Sequence, residues 1–232
     1  MVHTYIGEQT KVYGPLYGYP SYDGASIQTG FNNVFRDTLA RVQESAAAGK
    51  PWVVANDEQG DAQEGVAPDS VDPEHFDIRS EVLWGNIMAG GAGVEDYFGY
   101  AHENSDLTAQ DLRSRANMWT QSRYALEFFS KFNVPFQEME NRNDLIAEPN
   151  WCLAERDRDP SVFVVYIPTG GTGSLDLSGS PESNLSVQWY DPRNGGNLQV
   201  GSVSEVAAAS DQSLGTAPDS LEDDWVVLVT SL

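Results

Sequence analysis

The residues best suited to chemistry are Asn56, Asp57 and Glu58, which directly follow the apolar run at residues 52–55. A strand that is covered on both faces is a continuous hydrophobic run. In barrels of parallel strands, catalytic groups lie at the carboxyl ends of such strands. A carboxylate in this position can act as a nucleophile, or as a general acid or base. Glu58 is therefore the first catalytic candidate.

Two further predicted strands, residues 2–6 and 94–100, would bring more polar and aromatic side chains to the same rim. These side chains are His3 and Tyr5 from the first strand, and Glu95, Tyr97 and Tyr100 from the last. Retaining glycosidases place a nucleophilic carboxylate about 5 Å from a second carboxyl group that acts as acid and base. Glu58 suits the nucleophile. A hydrogen bond from His3 or Tyr5 could orient it and keep it ionised.

Each candidate also has a structural interpretation. Glu58 could cap a loop or pair with Arg79. Asp57 competes with Glu58, because side chains alternate along a strand and only one of two consecutive residues then faces the rim. His3 could be a hydrogen-bonded core residue. The tyrosines could pack against the protein instead of stacking on sugar rings.

Metal and nucleotide sites are not expected. The segment DSVDPEHFDIR at residues 69–79 contains metal-ligand residue types, but it lacks the ligand spacing of an EF-hand and the HExxH pattern of zinc proteases. Helix capping and a solvated loop explain it instead. The glycines of MAGGAGVEDYFGY do not form the dinucleotide fingerprint, and they precede a predicted strand. We therefore expect no cofactor and no metal.

Charge and composition exclude several classes of protein. The 232 residues carry a formal net charge of −22, which argues against nucleic-acid binding and against an anionic membrane surface. Hydrophobic residues make up 40% and aromatic residues 11% of the chain, which argues against disorder. The single cysteine, Cys152, excludes an internal disulfide and is interpreted as a buried structural thiol. The first ten residues lack the features of a signal peptide.

The first part of the chain alternates strands with helices. After the strand at residues 2–6 and a loop to residue 29, helices are predicted at residues 31–48, 73–88 and 108–132. The strand before the second helix, residues 52–55, and the strand at 94–100 complete three α/β units. Such alternation is typical of a parallel sheet. Three units cannot close an eight-stranded barrel.

The pattern changes after residue 133. Residues 134–150 are linker-like, and helical periodicity is absent beyond them. Short strands are predicted at residues 151–154, 162–167, 173–177, 185–190, 198–203 and 225–229. This spacing indicates a small antiparallel β-sandwich. The sequence therefore predicts an α/β domain at residues 1–133, a linker at 134–150 and an all-β domain at 151–232.

These segments resemble a known family. The series KPWVVANDEQG, DPEHFDIRSEVLWGNIMAGGAGVEDYFGY and DLTAQDLRSRANMWTQSRYALEFF resembles the C-terminal part of bacterial glycoside-hydrolase-like (β/α)8, or TIM, barrel proteins. In that family a small β domain follows, labelled "putative collagen-binding domain of a collagenase". The segments VFVVYIPTGGTGSLDLS and VQWYDPRNGG resemble it.

The resemblance implies a site that this chain encodes only in part. It implies that the three units are the last three of the barrel, and that Glu58 matches the nucleophile on the seventh strand of related retaining enzymes. It places the acid/base carboxylate on a fourth strand that has no counterpart here. The chain is then a fragment, expected to be inactive by itself. We expect its parent to be secreted or periplasmic.

Two functions follow as hypotheses. The parent protein would hydrolyse glycosidic bonds in poly- or oligosaccharides, with Glu58 as nucleophile and with His3, Tyr5, Asn56, Asp57, Glu95, Tyr97 and Tyr100 lining the sugar site. Alternatively, the protein would bind carbohydrate or matrix protein through residues 151–232 without catalysis. Carbohydrate is the expected partner in the first case, and carbohydrate or a matrix protein in the second. Uncovered strand edges and faces of the incomplete barrel predict self-association.

Overall fold

Two compact units make up the described part of the protein. The computed structural model describes residues 1–4, 7–108, 110–156 and 159–232. The units are Met1–Ser122 and Arg123–Leu232. In the described ranges, every helix is too short or too polar to cross a membrane.

The first unit contains a parallel four-stranded sheet in the order β1-β2-β3-β4. Its strands are β1 (Val2–Thr4), β2 (Gly24–Thr29), β3 (Val53–Gln59) and β4 (Gly93–Val94). The helices are α1 (Gln9–Tyr13), α2 (Val34–Ala47), a π-helical segment (Ile78–Trp84) that continues into α3 (Gly85–Met88), and the start of α4 (Ala116–Lys131), whose residues from Arg123 onward belong to the second unit. Each strand is followed by a helix, so the predicted α/β alternation with a parallel sheet is confirmed.

Strand β2 corrects the prediction of a loop up to residue 29. The segment GASIQT has one large apolar side chain, Ile27, and therefore lacks the hydrophobic run of a buried strand. Close packing explains its composition, because a Cβ atom on Gly24 would lie 2.3 Å from the carbonyl oxygen of Val53. The structure thus has four parallel strands where the sequence indicated three. Conversely, the strand expected at residues 94–100 is only Gly93–Val94.

The two faces of this sheet differ in what covers them. One face packs against helices through a buried cluster of Tyr13, Ala25, Ile27, Trp52 and Val54. Side chains alternate along strands, so the residues between these point to the other side. There Val53 is 54% exposed, and the side chain of His3 is 49% exposed. We call this side the open face, defined by His3, Ser26, Val53, Ala55 and Asp57.

Local sequence signals predicted the bounds of α2, whereas α4 starts later than predicted. The helix predicted at residues 31–48 is confirmed as a 3-10 turn (Phe31–Asn33) followed by α2, and Gly49 ends it with φ +84°. The helix predicted from residue 108 starts later. The side chain of Asp111 accepts a hydrogen bond from the amide of Arg113 and caps a 3-10 turn (Leu112–Arg115) that leads into α4.

The second unit is built from antiparallel strands. Six of them form a sheet in the order β10-β9-β12-β7-β6-β5, and β11 and β8 form a separate pair. Their bounds are β5 (Met139–Asn141), β6 (Trp151–Glu155), β7 (Val162–Ile167), β8 (Thr172–Leu175), β9 (Asn184–Tyr190), β10 (Glu205–Ala207), β11 (Gln212–Thr216) and β12 (Trp225–Ser231).

Buried apolar residues fill the space between the large sheet and the two-stranded pair. Val165, Val187 and Trp189 of the large sheet share one cluster with Leu175 and Leu214 of the small one. The large sheet's other face carries Tyr190, whose ring lies 5.1 Å from that of Phe128 on α4. Such cores give short strands their stability.

The sequence predicted most strands of this unit. Five of the six expected strands are present, but residues 198–203 form only an isolated bridge between Gln199 and Trp189. Strands β10 and β11 were not predicted. Strand β5 lies in the segment expected to be a linker, and the two compact units meet at Ser122 and Arg123.

Candidate functional site

Neighbouring strands place a row of three polar side chains on the open face. His3 is the register partner of Ser26, and Ser26 is the partner of Ala55, two residues before Asp57. The hydroxyl of Ser26 donates a hydrogen bond to Asp57 Oδ2. His3 Nδ1 lies 3.0 Å from the same oxygen and 3.1 Å from Ser26 Oγ.

A β-bulge at Asp57 changes the direction of the side chain that follows. Ile27 pairs with Asn56 and Gln28 pairs with Glu58, so Asp57 is an extra residue on β3. Gln28 follows Ser26 by two positions and faces the same side. Its partner Glu58 is therefore on the open face together with Asp57. Strict alternation, which would have turned one carboxylate away, does not apply at this position.

The surroundings of Glu58 shift its pKa in opposite directions. Burial raises the pKa of Glu58, and the carboxylates of Asp57 and Asp106 raise it further, while His3 lowers it. Burial and the charges of Glu58 and Asp106 also raise the pKa of Tyr97. Glu58 thus shares one electrostatic environment with residues of β1, β3 and the loop after β4.

Beside Glu58, the loop after β3 contacts the loop after β4, which carries Tyr97. The Tyr97 hydroxyl donates to the carbonyl oxygen of Ala62 at 2.6 Å, and the Tyr97 carbonyl accepts from the amide of Val66 at 2.8 Å. The buried amide of Gln59 bridges the carbonyl of Glu95 and the amide of Tyr97, at 2.9 and 3.0 Å, in the orientation that satisfies both. The end of β3 therefore fixes the backbone that carries Tyr97.

The structure brings together four of the eight residues that the sequence suggested. His3, Asp57, Glu58 and Tyr97 are neighbours, Glu95 is exposed at the end of β4, and Tyr100 is 52% exposed. Tyr5 lies outside the described residues. Asn56 is fully buried, and its Nδ2 donates to the carbonyls of Ile27 and Glu58. It supports the strand and does not reach the open face.

Two partners differ from those expected. His3 contacts Asp57 directly and affects Glu58 only through its charge. The sequence also allowed a pair of Glu58 with Arg79; in the structure the Arg79 guanidinium donates to the carbonyl of Glu74. Sequence reasoning missed Ser26, because it lies on a strand with no hydrophobic pattern. It also missed Asp106, whose carboxylate accepts from the amide of Phe98 at 2.6 Å.

The Ser26, His3 and Asp57 group is not a hydrolytic triad. In such a triad the serine and the aspartate contact opposite nitrogens of the imidazole. Here both contact Nδ1 of His3. In addition, Ser26 donates its proton to a carboxylate, so its oxygen is not activated by a base. The arrangement therefore gives no support to acyl transfer by Ser26.

The segment at residues 69–79, which contains metal-ligand residue types, has a structural role. His75 is fully buried, and its Nε2 lies 2.7 Å from Asp69 Oδ1. Asp69 in turn accepts from the amide of Asn117 on α4. Among the described residues, no three His, Cys, Asp or Glu side chains are placed to hold a metal ion. These contacts join the loop to the start of α4.

Cys152 lies on β6 inside the core of the second unit. It is fully buried, and burial raises the pKa of its thiol. A thiol that resists ionisation is a poor nucleophile. The contacts agree with the prediction of a structural cysteine.

Comparisons with known proteins found one family match and similarities to solved structures. Residues 130–230 match the family described as "Putative collagen-binding domain of a collagenase". No curated protein matches the sequence. A glycoside hydrolase family 5 structure from Bacteroides vulgatus is 18% identical, with a TM-score of 0.60, over 84% of this chain and 45% of that chain.

A second solved structure, described as a glycoside hydrolase, is 15% identical with a TM-score of 0.66. The match covers 92% of this chain and 53% of that chain. The chain thus spans about half the length of these solved structures. At such identities the likeness concerns the fold alone: a mixed α/β protein with a parallel sheet and antiparallel sheets, resembling glycoside hydrolases.

Proposed function

We propose that this protein acts in the hydrolysis of glycosidic bonds in poly- or oligosaccharides, with Glu58 as the nucleophile of a retaining mechanism. The observation that carries the proposal is the bulge on β3. It supports placing Glu58 on the open face, at the carboxyl end of a parallel strand, beside His3 and Tyr97. Carboxyl ends of such strands are where glycosidase-type barrels hold catalytic groups.

In this mechanism Glu58 attacks the anomeric carbon of the sugar. The bond between that carbon and the leaving oxygen breaks, and a glycosyl ester forms on Glu58. A second carboxyl group protonates the leaving oxygen and later removes a proton from the water that hydrolyses the ester. The resemblance assigns this group to a strand without a counterpart among the four described.

The surrounding residues suit a sugar ligand. Tyr97 and Tyr100 supply aromatic faces, and sugar rings commonly stack on such faces. Glu95 adds an exposed carboxylate at the end of β4. Because burial, Asp57 and Asp106 raise the pKa of Glu58, the nucleophile needs a pH above that raised pKa to be ionised. Protonation of His3 gives it a positive charge that favours the ionised form of Glu58.

The test is a substitution that removes the charge of Glu58 while preserving its shape. Glu58→Gln should be made in the longest in-frame protein that carries this chain, and release of sugars measured on a panel of plant and algal glycans. Loss of the nucleophile should lower the rate by at least about a thousandfold. Glu64→Gln, an exposed glutamate in the next loop, is the control and should keep the rate. Full activity of Glu58→Gln would refute the assignment.

A second function is favoured by the family match at residues 130–230. In this alternative the β domain at residues 151–232 attaches to a polysaccharide or to a matrix protein, and the α/β unit acts as a scaffold. Retention of the full chain on insoluble glycans or on collagen, against uncoated resin, would support it. No retention on either would count against it.

A further inference from the structure

One oxygen of Asp57 receives two donors on the open face. The hydroxyl of Ser26 donates to Asp57 Oδ2, and His3 Nδ1 lies 3.0 Å from the same oxygen. An ionised carboxylate accepts hydrogen bonds and cannot donate them. The single hydroxyl hydrogen of Ser26 is already given to Asp57. The hydrogen between His3 and Asp57 must therefore belong to Nδ1 of His3.

A hydrogen on Nδ1 also determines the protonation of the other ring nitrogen, Nε2. A neutral imidazole carries one N–H, so a hydrogen on Nδ1 leaves a lone pair on Nε2. The side chain of His3 is 49% exposed. Among the described residues, no hydrogen bond to Nε2 of His3 is present. Nε2 is thus free to accept a hydrogen bond from outside the protein.

Asp57 itself is poorly placed to contact a ligand. Its Oδ2 is shared by Ser26 and His3, and its Oδ1 is buried without a partner among the described residues. Ser26 is also buried, at 7% exposure. Of the three side chains in this row, His3 is the most exposed, at 49% against 26% for Asp57. The other two act through it.

We propose that Ser26 and Asp57 are positioning residues that hold His3 as its Nδ1–H tautomer, so that Nε2 accepts a hydrogen bond from a hydroxyl group of the bound sugar. The ligand in this proposal rests on the proposed function, whereas the tautomer does not. Charged and titratable groups around His3 are Asp57 and Glu58 on β3; Tyr97 and Asp106 lie next to Glu58. Asp57 then positions His3 and does not itself contact the sugar.

The tautomer can be measured on the full chain by long-range proton–nitrogen NMR correlation of the imidazole rings, at a pH where they are neutral. The chain has three histidines, so His3→Gln assigns the signals. Wild-type His3 should show the nitrogen shifts of the Nδ1–H form. Asp57→Ala and Ser26→Ala should move it toward the Nε2–H form, which free histidine prefers. Ser26→Thr keeps the hydroxyl and should retain the wild-type shifts.

A matched control is Ser186→Ala in the second unit, since Ser186 is also a strand serine with a side-chain hydrogen bond, to Thr230. It should leave His3 unchanged. His3 found as Nε2–H in the wild type, or unaffected by Asp57→Ala, would overturn the tautomer assignment. That result would leave the Glu58 proposal standing, because the two measurements are independent.

Kinetics test the sugar contact. In the hydrolysis assay, Ser26→Ala should raise KM a few-fold with kcat little changed, because it weakens a bond made in the ground state. Ser26→Thr should restore KM. An unchanged KM for Ser26→Ala would refute the contact between Nε2 and the sugar. Absence of hydrolysis in the wild type would instead refute the proposed function and leave the tautomer result valid.

Discussion

Glu58 belongs to a pair of like charges that one strand holds on the same side. Its pKa is raised first by burial and then by Asp57 and Asp106, and it is lowered by His3. In the proposed mechanism Glu58 must be ionised to attack, so this environment would set the acid limit of activity. The residues that tune it lie on three neighbouring segments of chain.

Removing one neighbouring charge should lower the pKa of Glu58. Asp57→Asn replaces a carboxylate by a neutral amide of the same shape, so the ionised form of Glu58 loses a repulsive neighbour. Carbon-13 NMR titration of the glutamate side-chain carboxyls would follow the change. Asp61→Asn, an exposed aspartate that does not affect the pKa of Glu58, is the control. A Glu58 pKa equal to that of the wild type would contradict this electrostatic account.

Asp96 should make stability depend on pH. Burial and the charge of Glu95 raise the pKa of Asp96 to about 6 from an ordinary value of 3.8. The folded state therefore holds this proton more tightly than the unfolded state. The resulting stabilisation is complete below pH 3.8 and is lost as the pH rises through about 6.

Asp96→Asn should therefore stabilise the first unit above pH 6 and have little effect near pH 4. Each pKa unit corresponds to about 1.4 kcal/mol, so the gain at pH 7.5 is at most about 3 kcal/mol. Denaturant unfolding of wild type, Asp96→Asn and Asp61→Asn at both pH values would measure it. Equal stability of wild type and Asp96→Asn at pH 7.5 would show that Asp96 is not destabilised by burial.

Among the structural elements around Glu58, the loops after β3 and β4 are in close contact. A Cβ atom on Gly99 would lie 1.6 Å from the carbonyl oxygen of Glu64, and one on Gly65 would lie 2.5 Å from that of Tyr97. The fully buried guanidinium of Arg115 donates to the carbonyls of Val66 and Glu103. Close backbone contact thus helps to hold these two loops together.

Gly99→Ala should separate these loops, because backbone atoms cannot move aside as a flexible side chain can. Gly49→Ala is the matched control: both glycines have positive φ, but no atom lies within 4 Å of a Cβ on Gly49. The control should cost about 1–2 kcal/mol from backbone strain alone. Gly99→Ala should cost clearly more in the free energy of unfolding, measured by denaturant titration. Equal losses would show that the loops are not in contact.

The sequence predicted the elements of this site better than their geometry. Helix α2 and the apolar part of β3 follow from periodicity and from a hydrophobic run. Strand β2 could not be predicted in this way, because glycine and small polar residues fit where backbones approach closely. The bulge at Asp57 could not be predicted from the sequence either, since it depends on pairing between two strands. Hydrophobic patterns record burial, whereas register depends on contacts distant in sequence.

At the scale of the whole molecule, the open face predicts association between copies of the chain. Val53 is 54% exposed on a strand of the parallel sheet. Strands β1 and β4 are the two edges of that sheet. Exposed apolar faces and unpaired edges favour contacts with other chains.

Sedimentation velocity should detect this association in the isolated chain. Val53→Lys places a charge on the open face and should weaken self-association at least several-fold. Val71→Lys changes a similarly exposed valine, at 58% exposure, in a loop, and should leave it unchanged. A monodisperse wild-type monomer at high concentration would contradict the prediction.

The central claim is that Glu58 forms a bond with the sugar, and covalent trapping tests it most directly. The longest in-frame protein that carries this chain should be treated with 2-deoxy-2-fluoro glycosyl fluorides of several sugars, which retaining enzymes convert into slowly hydrolysed esters. Peptide mapping by mass spectrometry would then locate the label. One label is expected, on the peptide and the side chain of Glu58. A label on Asp57 or elsewhere, or none in a protein that turns over glycans, would contradict it.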